Sequence, residues 1–214
     1  MKDLKGNPLR PSELSGDEVQ IQSVDRVYEG YARVEKYELT HPLFNGGMSE
    51  VINRELFVSG DAVMVIPYDV GSQSILLIEQ FRMGPLHRGD HPWLFEGVAG
   101  RIEAGEVPAD VARREAVEEA GVDLGVIEEM GGFFLSPGIV AEHMTFFCAQ
   151  ADLSQSGGVF GLDEEAEDIR AVVVLLDDAL AALDGGQVVN APTALSLLWL
   201  ARNRDRLTAL WGAS

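Results

Sequence analysis

The stretch from Gly100 to Val122 constrains the fold of this chain more than any other part of its sequence. It follows an apolar, strand-like run at positions 93–99 and begins as a loop. Pro108 then marks the start of a helix, because the missing N–H of proline would have no intrahelical partner at the first helical position. Gly121 is typical of a helix C-terminal cap. Between these two residues, alanines recur at helical spacing and predict a flat face that packs closely on a sheet: Ala109, Ala112, Ala116 and Ala120.

Three glutamates of the same helix lie three and four positions apart. Glu115 therefore sits one turn before Glu118 and Glu119. Like charges at this spacing repel one another, and the stretch contains no lysine that could offset them. A hard divalent cation would turn this repulsion into a binding site, because Mg²⁺ prefers oxygen ligands and keeps waters or substrate phosphates as the others. The simpler alternative is an acidic helix face in contact with solvent.

The stretch resembles the Nudix box, in which a glycine, a glutamate, an Arg-Glu pair, a Glu-Glu pair and a final glycine recur at fixed spacing. The matching residues are Gly100, Glu106, Arg114, Glu115, Ala116, Glu118, Glu119, Gly121 and Val122. Ala116 is small for its aliphatic position, which is the one departure from the pattern. The resemblance implies a Nudix hydrolase, and with it an α/β/α sandwich fold.

Turn signals and apolar runs divide the chain into a small N-terminal part and a larger second part. Runs at 19–27, 31–39 and 51–58 predict a small antiparallel β-sheet, which we assign to a domain of residues 1–58. Residues 59–214 are predicted to form an α/β catalytic domain with a mixed sheet. Its strands are predicted at 62–67, 74–82, 93–99, 126–135, 143–151 and 168–176, with loops at 83–91 and 154–167 and further helices at 177–183 and 192–210.

Charge and composition exclude several classes of function. The net charge of −19 argues against binding to nucleic acid or to an anionic membrane. The chain contains no run of eighteen apolar residues and no apolar core of a signal peptide near Met1, so neither a membrane span nor secretion is expected. Cys148 is the only cysteine, and we predict a core residue of a cytoplasmic protein. Bound cations and a few arginines would have to reverse the local sign for a phosphate substrate.

Outside the box, the chain from about residue 28 to residue 200 is similar to bacterial ADP-ribose pyrophosphatases, a branch of the Nudix superfamily. Four segments carry the similarity: 44–49 with Arg54-Glu55, the arginine strand 78–82, Ser136-Pro137-Gly138, and the acidic loop 162–170. Pro137 lies sixteen residues beyond Gly121, a spacing that marks the ADP-ribose branch. The resemblance implies hydrolysis of ADP-ribose to AMP and ribose 5-phosphate. The alternatives are another nucleoside diphosphate sugar, such as GDP-mannose, and a non-catalytic ADP-ribose sensor.

The resemblance also implies a metal site and a catalytic base. Two or three Mg²⁺, for which Mn²⁺ would substitute, would be held by the box and the strand before it, through the carbonyl of Ala99, Glu115, Glu119 and, as an additional ligand, Glu118. Glu106 and Arg114 would form a pair that braces the loop on the helix. Glu165 is our candidate general base, because a loop carboxylate is able to approach the attacking water from the side opposite the leaving group. A box glutamate in that role remains an alternative.

The implied substrate contacts lie in several segments. Tyr31 would stack on the adenine, and Glu142 would lie near the ribose and the metals. Arg54 and Arg82 would hold phosphate or the adenine edge, for which a planar donor fork is suited. Strand packing, surface ion pairs and solvation are the alternative roles of these residues. A homodimer is also implied, in which residues 18–60 dock on the partner, since about three strands bury too little apolar surface alone.

Overall fold

The computed structural model describes residues 12–162 and 167–212. They form two compact units. The first comprises the described residues up to Ser59 together with Ser136–Ala141. The second comprises Gly60–Leu135 together with the described residues from Glu142 onward. The predicted general base, Glu165, lies outside the described residues.

The first unit is built on an antiparallel sheet in the order β1-β2-β3, which confirms the predicted small antiparallel sheet. Its strands are β1 (Gln20–Glu29), β2 (Arg33–Thr40) and β3 (Ile52–Val58), preceded by a 3₁₀ turn at Gly16–Glu18. The segment before position 142 extends this sheet, because the Phe57 N–H donates to the Ile139 carbonyl at 2.8 Å and the Ala141 N–H donates to the Phe57 carbonyl at 2.9 Å. The cross-strand register brings most of the apolar side chains to one face: Ile21, Val24, Tyr37, Leu39, Ile52, Leu56 and Val58.

The second unit contains a mixed sheet in the order β10-β11-β5-β4-β9-β8, with β6 paired to β5 and β7 paired to β4. Only the β4–β9 pair is parallel among the strand pairs of the described residues. The strands are β4 (Ala62–Asp69), β5 (Ser74–Phe81), β6 (Trp93–Glu96), β7 (Val98–Arg101), β8 (Ile127–Phe134), β9 (His143–Gln150), β10 (Gly158–Phe160) and β11 (Ile169–Leu175). The helices are α1 (Met83–Arg88), α2 (Pro108–Ala120), α3 (Leu176–Asp184) and α4 (Ala191–Trp211).

Helices pack on both faces of this sheet, which confirms the predicted α/β/α sandwich. Side chains of β4 alternate between the faces, so that Val63 and Val65 contact the cluster of α2, while Ile66 and Tyr68 contact the cluster of α3 and α4. The alanines of α2 allow close packing: Ala112 and Ala116 are fully buried. A strand covered on both faces needs an apolar residue at nearly every position, which explains the continuous apolar run of β4.

Three local predictions were wrong. The segment predicted as a loop at 154–167 contains the short strand β10, which pairs with β11. The segment predicted as a loop at 83–91 contains the short helix α1, because Pro85 lies in its first turn, where no N–H is needed, and Gly89 ends it in the left-handed conformation with φ 86°. The strand predicted at 93–99 is two strands, β6 and β7, which separate at Gly97 and pair with different neighbours. Gly97 approaches β4 so closely that a Cβ there would meet Ile66 at 2.8 Å.

Within the described part of the chain, no helix combines the length and the apolarity that a bilayer crossing requires.

Candidate active site

The box helix α2 begins and ends as its sequence predicts. Pro108 is its first residue, and Gly121 ends it in the left-handed conformation with φ 63°. The Gly121 N–H donates to the Val117 carbonyl at 3.0 Å, the bond of a left-handed C-terminal cap, and the Val122 N–H returns to the Ala116 carbonyl at 3.0 Å. This geometry holds α2 against β7, and a Cβ at Gly100 would lie 1.8 Å from Glu115 Oε1. Any other residue at position 100 would therefore displace the Glu115 side chain from this place.

Glu119 is a buried carboxyl group at the contact between α2 and β7. The residue is 3% exposed, and its Oε2 accepts a hydrogen bond from the Ala99 N–H at 3.0 Å. Burial raises the pKa of Glu119 to about 8, an effect that the Ala99 N–H and Arg82 oppose and that the charges of Glu115 and Glu167 increase. Without a cation nearby, Glu119 is therefore largely protonated at neutral pH.

Glu115 lies one turn earlier and is also mostly buried, with a side chain that is 13% exposed. Burial raises its pKa to about 7; Arg114 opposes this shift, and Glu118 and Glu167 add to it. Arg114 Nη1 lies 3.0 Å from Glu115 Oε1 and 2.9 Å from Glu118 Oε2. The arginine of the box thus bridges Glu115 and Glu118.

The predicted brace between Glu106 and Arg114 is long, at 3.9 Å between Oε1 and Nη2. Glu106 instead accepts a hydrogen bond from the Glu103 N–H at 2.7 Å through its other oxygen. Glu106 therefore stabilises the loop before α2 mainly through this bond to a backbone N–H. Arg114 pairs instead with the glutamates of α2.

Glu167 is a residue to which the sequence analysis assigned no role. Its charge raises the pKa of both Glu115 and Glu119, so it adds a carboxylate to their surroundings besides that of Glu118. Its N–H donates to the Leu162 carbonyl at 3.3 Å, and a Cβ at Gly161 would meet its side chain at 2.8 Å. The signal that could have identified it is its position at the end of the acidic loop, two residues before β11.

The chemistry of this cluster fits a hard divalent cation. Its donors are carboxylate and carbonyl oxygens, and burial raises the pKa values of Glu115 and Glu119 although Arg114 and Arg82 oppose the shifts, so a cation there would offset the cost of ionising them. In residues 12–162 and 167–212, no three acidic or histidine side chains are already arranged as a ligand set. Glu119 points to the Ala99 amide and Glu115 to Arg114, so cation binding requires these two side chains to reorient.

Arg82 follows β5 in the second unit and pairs with a buried glutamate. Its Nε and Nη2 both lie 2.7 Å from Oε2 of Glu96, a residue that is 4% exposed. The Arg82 side chain remains 44% exposed, and its charge lowers the pKa of Glu119. Arg82 is therefore held in place on one side and accessible on the other.

The remaining predicted residues lie in both units. Tyr31 is 84% exposed in the turn between β1 and β2, and Arg54 is an exposed residue of β3 whose Nη1 donates to the Asn53 carbonyl at 2.7 Å. Both belong to the first unit. Glu142 is half-buried and belongs to the second unit, directly before β9. The structure thus brings together Glu115, Glu118, Glu119, Ala99, Arg114 and Arg82 in the second unit.

We predict that the metal-free protein becomes less stable as the pH rises from about 5 to about 8. The folded state binds more protons than the unfolded state in this window, because the pKa of Glu119 is raised from 4.5 to about 8. The contribution of protonated Glu119 to the free energy of unfolding is fully present below its pKa in the unfolded chain. It is lost as the pH rises through its pKa in the folded protein, by at most roughly 1.4 kcal/mol per pH unit. Melting temperatures measured in EDTA across this range check the slope.

Two further measurements test the assignment of this pH dependence to Glu119. Mg²⁺ at pH 8 should restore the melting temperature, since a ligand that binds only the folded state stabilises it. In Glu119→Gln the slope should flatten, because the neutral amide does not titrate. A metal-free melting temperature that rises steadily between pH 5 and pH 8 would contradict the assignment of raised pKa values to this cluster.

Comparisons with known proteins agree with this geometry. The family model described as NUDIX domain matches residues 58–193. An ADP-ribose pyrophosphatase of Escherichia coli K12 is 36% identical over 201 residues, which cover 94% of this chain and 96% of that protein. An ADP-ribose pyrophosphatase of Haemophilus influenzae is 37% identical over 204 residues, with 94% of each chain covered. A GDP-mannose pyrophosphatase of Citrobacter koseri is 32% identical over 148 residues, which cover 69% of this chain and 76% of that protein.

A solved structure described as an ADP compounds hydrolase superposes with a TM-score of 0.68 at 20% identity, and covers 94% of this chain and 98% of that chain. The site and the fold define an enzyme of the hydrolase class, in which a box of glutamates on one helix faces a strand. The chain belongs to the NUDIX family. The ADP-ribose pyrophosphatases to which it is similar match it over nearly their whole length.

Proposed function

We propose that this chain hydrolyses the diphosphate of ADP-ribose to AMP and ribose 5-phosphate, with Mg²⁺ as cofactor and Mn²⁺ as a substitute. The observation that carries the proposal is the buried Glu119, hydrogen-bonded to Ala99, with the mostly buried Glu115 one turn before it, in a chain that is 36–37% identical to ADP-ribose pyrophosphatases. The oxygen of a water forms a bond to one phosphorus, the bridging P–O bond breaks, and the water proton passes to a base.

The residues of the second unit have distinct parts in this reaction. Glu115, Glu119 and the Ala99 carbonyl would hold the cation, with Glu118 and Glu167 nearby. Bound there, Mg²⁺ would neutralise the diphosphate and activate the attacking water. Arg82 would bind a phosphate oxygen through its exposed side, and Arg114 would hold the carboxylates in place. Glu165 is our candidate for the base, and a glutamate of the box is the alternative.

The substrate contacts of the first unit complete the proposal. Tyr31 presents an exposed ring that would stack on adenine. Arg54 lies on β3 opposite Tyr37, on the apolar face of that sheet, where its guanidinium would bind the phosphates or the adenine edge. Glu142, which belongs to the second unit, would lie near the ribose and the metals.

We propose in addition that two chains form a homodimer through their first units. Strand β1 is exposed along almost its entire length, and Ile21 and Val24 on its apolar face are 57% and 48% exposed. A three-stranded sheet with such a face is not self-sufficient, and a second copy would cover it symmetrically. The net charge of −19 argues against nucleic acid and anionic membranes as partners, and the fully buried Cys148 is in keeping with the cytoplasm.

A substrate panel tests the proposed function. ADP-ribose, GDP-mannose and a uridine diphosphate sugar are incubated with the protein and Mg²⁺, and the release of nucleoside monophosphate is measured. We expect kcat/KM to be at least about tenfold higher for ADP-ribose than for the others, and no hydrolysis in EDTA, since no cation would then neutralise the diphosphate or activate the water. Faster release of GMP from GDP-mannose would favour the alternative substrate, and full activity in EDTA would refute the metal mechanism.

A further inference from the structure

We propose that Asn190 is a positioning residue for the reaction and acts through Glu96 on the guanidinium of Arg82. This inference rests on the proposed function, since it assigns Arg82 to the diphosphate. Arg82 and Asn190 take different oxygens of the same buried carboxylate: Arg82 binds Oε2 through two nitrogens at 2.7 Å each, and Asn190 Nδ2 donates to Oε1. Gln80 adds a longer contact to Oε2, at 3.4 Å.

The contact with Glu96 leaves one side of the Arg82 guanidinium accessible to a ligand. Its Nε and Nη2 both approach one oxygen, so the described residues occupy only one side of the guanidinium fork. The side chain is 44% exposed, although the carboxylate that holds it is 5% exposed. A long arginine side chain loses much rotational freedom when it binds a phosphate. A buried anchor that fixes it beforehand reduces this cost.

Asn190 is itself held by the start of α4. It is the N-cap residue, and its Oδ1 accepts from the Thr193 N–H at 2.9 Å and from the Thr193 hydroxyl at 3.0 Å. Thr193 is fully buried and also accepts the Gly97 N–H at 3.1 Å. The helix start is thereby connected to the break between β6 and β7, one residue after Glu96.

An asparagine is required at position 190 because two chemically different functions meet there. The cap needs a side-chain oxygen, which Asp or Ser would also supply. The bond to Glu96 needs a donor at the position of Nδ2: ionised Asp has no donor, and the single hydroxyl of Ser lies one bond nearer the backbone. Asn190 therefore has two roles that use different atoms: its Oδ1 caps α4, and its Nδ2 orients Glu96.

The variant Asn190→Asp separates these functions. It keeps the cap oxygen but places a carboxylate against Glu96, so the anchor of Arg82 is disturbed while α4 keeps its start. We expect kcat/KM for ADP-ribose to fall about tenfold, mainly through a higher KM, because a phosphate contact is present in both the ground state and the transition state. The melting temperature should stay within a few degrees of the wild type. Asn203→Asp, the same change further along α4, is the matched control and should leave both values unchanged.

A double-mutant cycle shows whether Asn190 acts through Arg82. In an Arg82→Ala background, Asn190→Asp should cause almost no further loss of kcat/KM, since the group it positions is absent. If Asn190→Asp lowers the melting temperature strongly, Asn190→Ser takes its place, because serine caps the helix without adding a charge and has no second polar atom at the position of Nδ2.

Two outcomes would overturn the inference: an unchanged kcat/KM in both position-190 variants, or a tenfold loss that persists in the Arg82→Ala background. The proposed function fails separately, if the wild type releases no AMP from ADP-ribose. The cycle is then measured with whichever nucleoside diphosphate sugar the wild type hydrolyses, and it decides the role of Asn190 on that substrate.

Discussion

Replacing Glu119 with Gln should lower kcat for ADP-ribose by about 10³-fold or more, which corresponds to roughly 4 kcal/mol in the activation free energy. The amide has the shape of the carboxyl group but cannot become an anion, so the site loses a ligand charge for the cation. The fold should survive, because Gln resembles the protonated form that burial already favours and its oxygen still accepts the Ala99 N–H. Steady-state kinetics with Mg²⁺ and a melting curve measure the two effects.

The matched control for this variant is Glu129→Gln. Glu129 is an exposed residue of β8 in the same unit, so the same chemical change there should alter neither kcat nor the melting temperature. If Glu119→Gln retained near-wild-type turnover, the box glutamates would be an acidic helix face without a catalytic role.

Deleting residues 1–58 should produce a monomer that no longer hydrolyses ADP-ribose. The deletion removes Tyr31 and Arg54, the proposed contacts to adenine and phosphate, and it removes the apolar face through which we expect two chains to associate. Light scattering at micromolar protein should give twice the chain mass for the full chain and one chain mass for the truncated one. A truncated monomer with an unchanged KM for ADP-ribose would refute the role of this segment in the site.

A full-length variant tests the same proposal without removing backbone. Val24 lies on the apolar face of the small sheet opposite Tyr37, and Gln20 lies on the other face opposite Thr40. Val24→Glu would bury a charge in the interface and should shift the protein to the monomer, whereas Gln20→Glu should remain a dimer. A dimer that persists in Val24→Glu would show that this face is not the interface.

The sequence was sufficient for the elements whose signals are local. Pro108 and Gly121 mark the ends of α2, and the spacing of Glu115 and Glu119 puts them on one side of it, since helical periodicity depends only on positions within the same segment. Local spacing did not predict the order of the strands in the sheet. The break at Gly97 depends on how closely the chain approaches Ile66, and α1 escaped prediction because Pro85 and Gly89 are equally typical of loops.

Tertiary structure decided the protonation and the partners of the candidate site residues. The pKa of Glu119 is raised by burial under β7 and by Glu167, which lies far along the chain from α2, and neither effect is visible in the spacing of the box. Arg82 is recognisable in the sequence as a candidate phosphate ligand, but its anchor depends on a hydrogen bond between Glu96 and Asn190, which are 94 positions apart. The sequence by itself therefore determined the α2 carboxylates and the family, because both depend on local spacing. Only the folded chain brought Glu167 close to these carboxylates, and Glu96 with Asn190 to Arg82, because contacts between distant segments follow from packing.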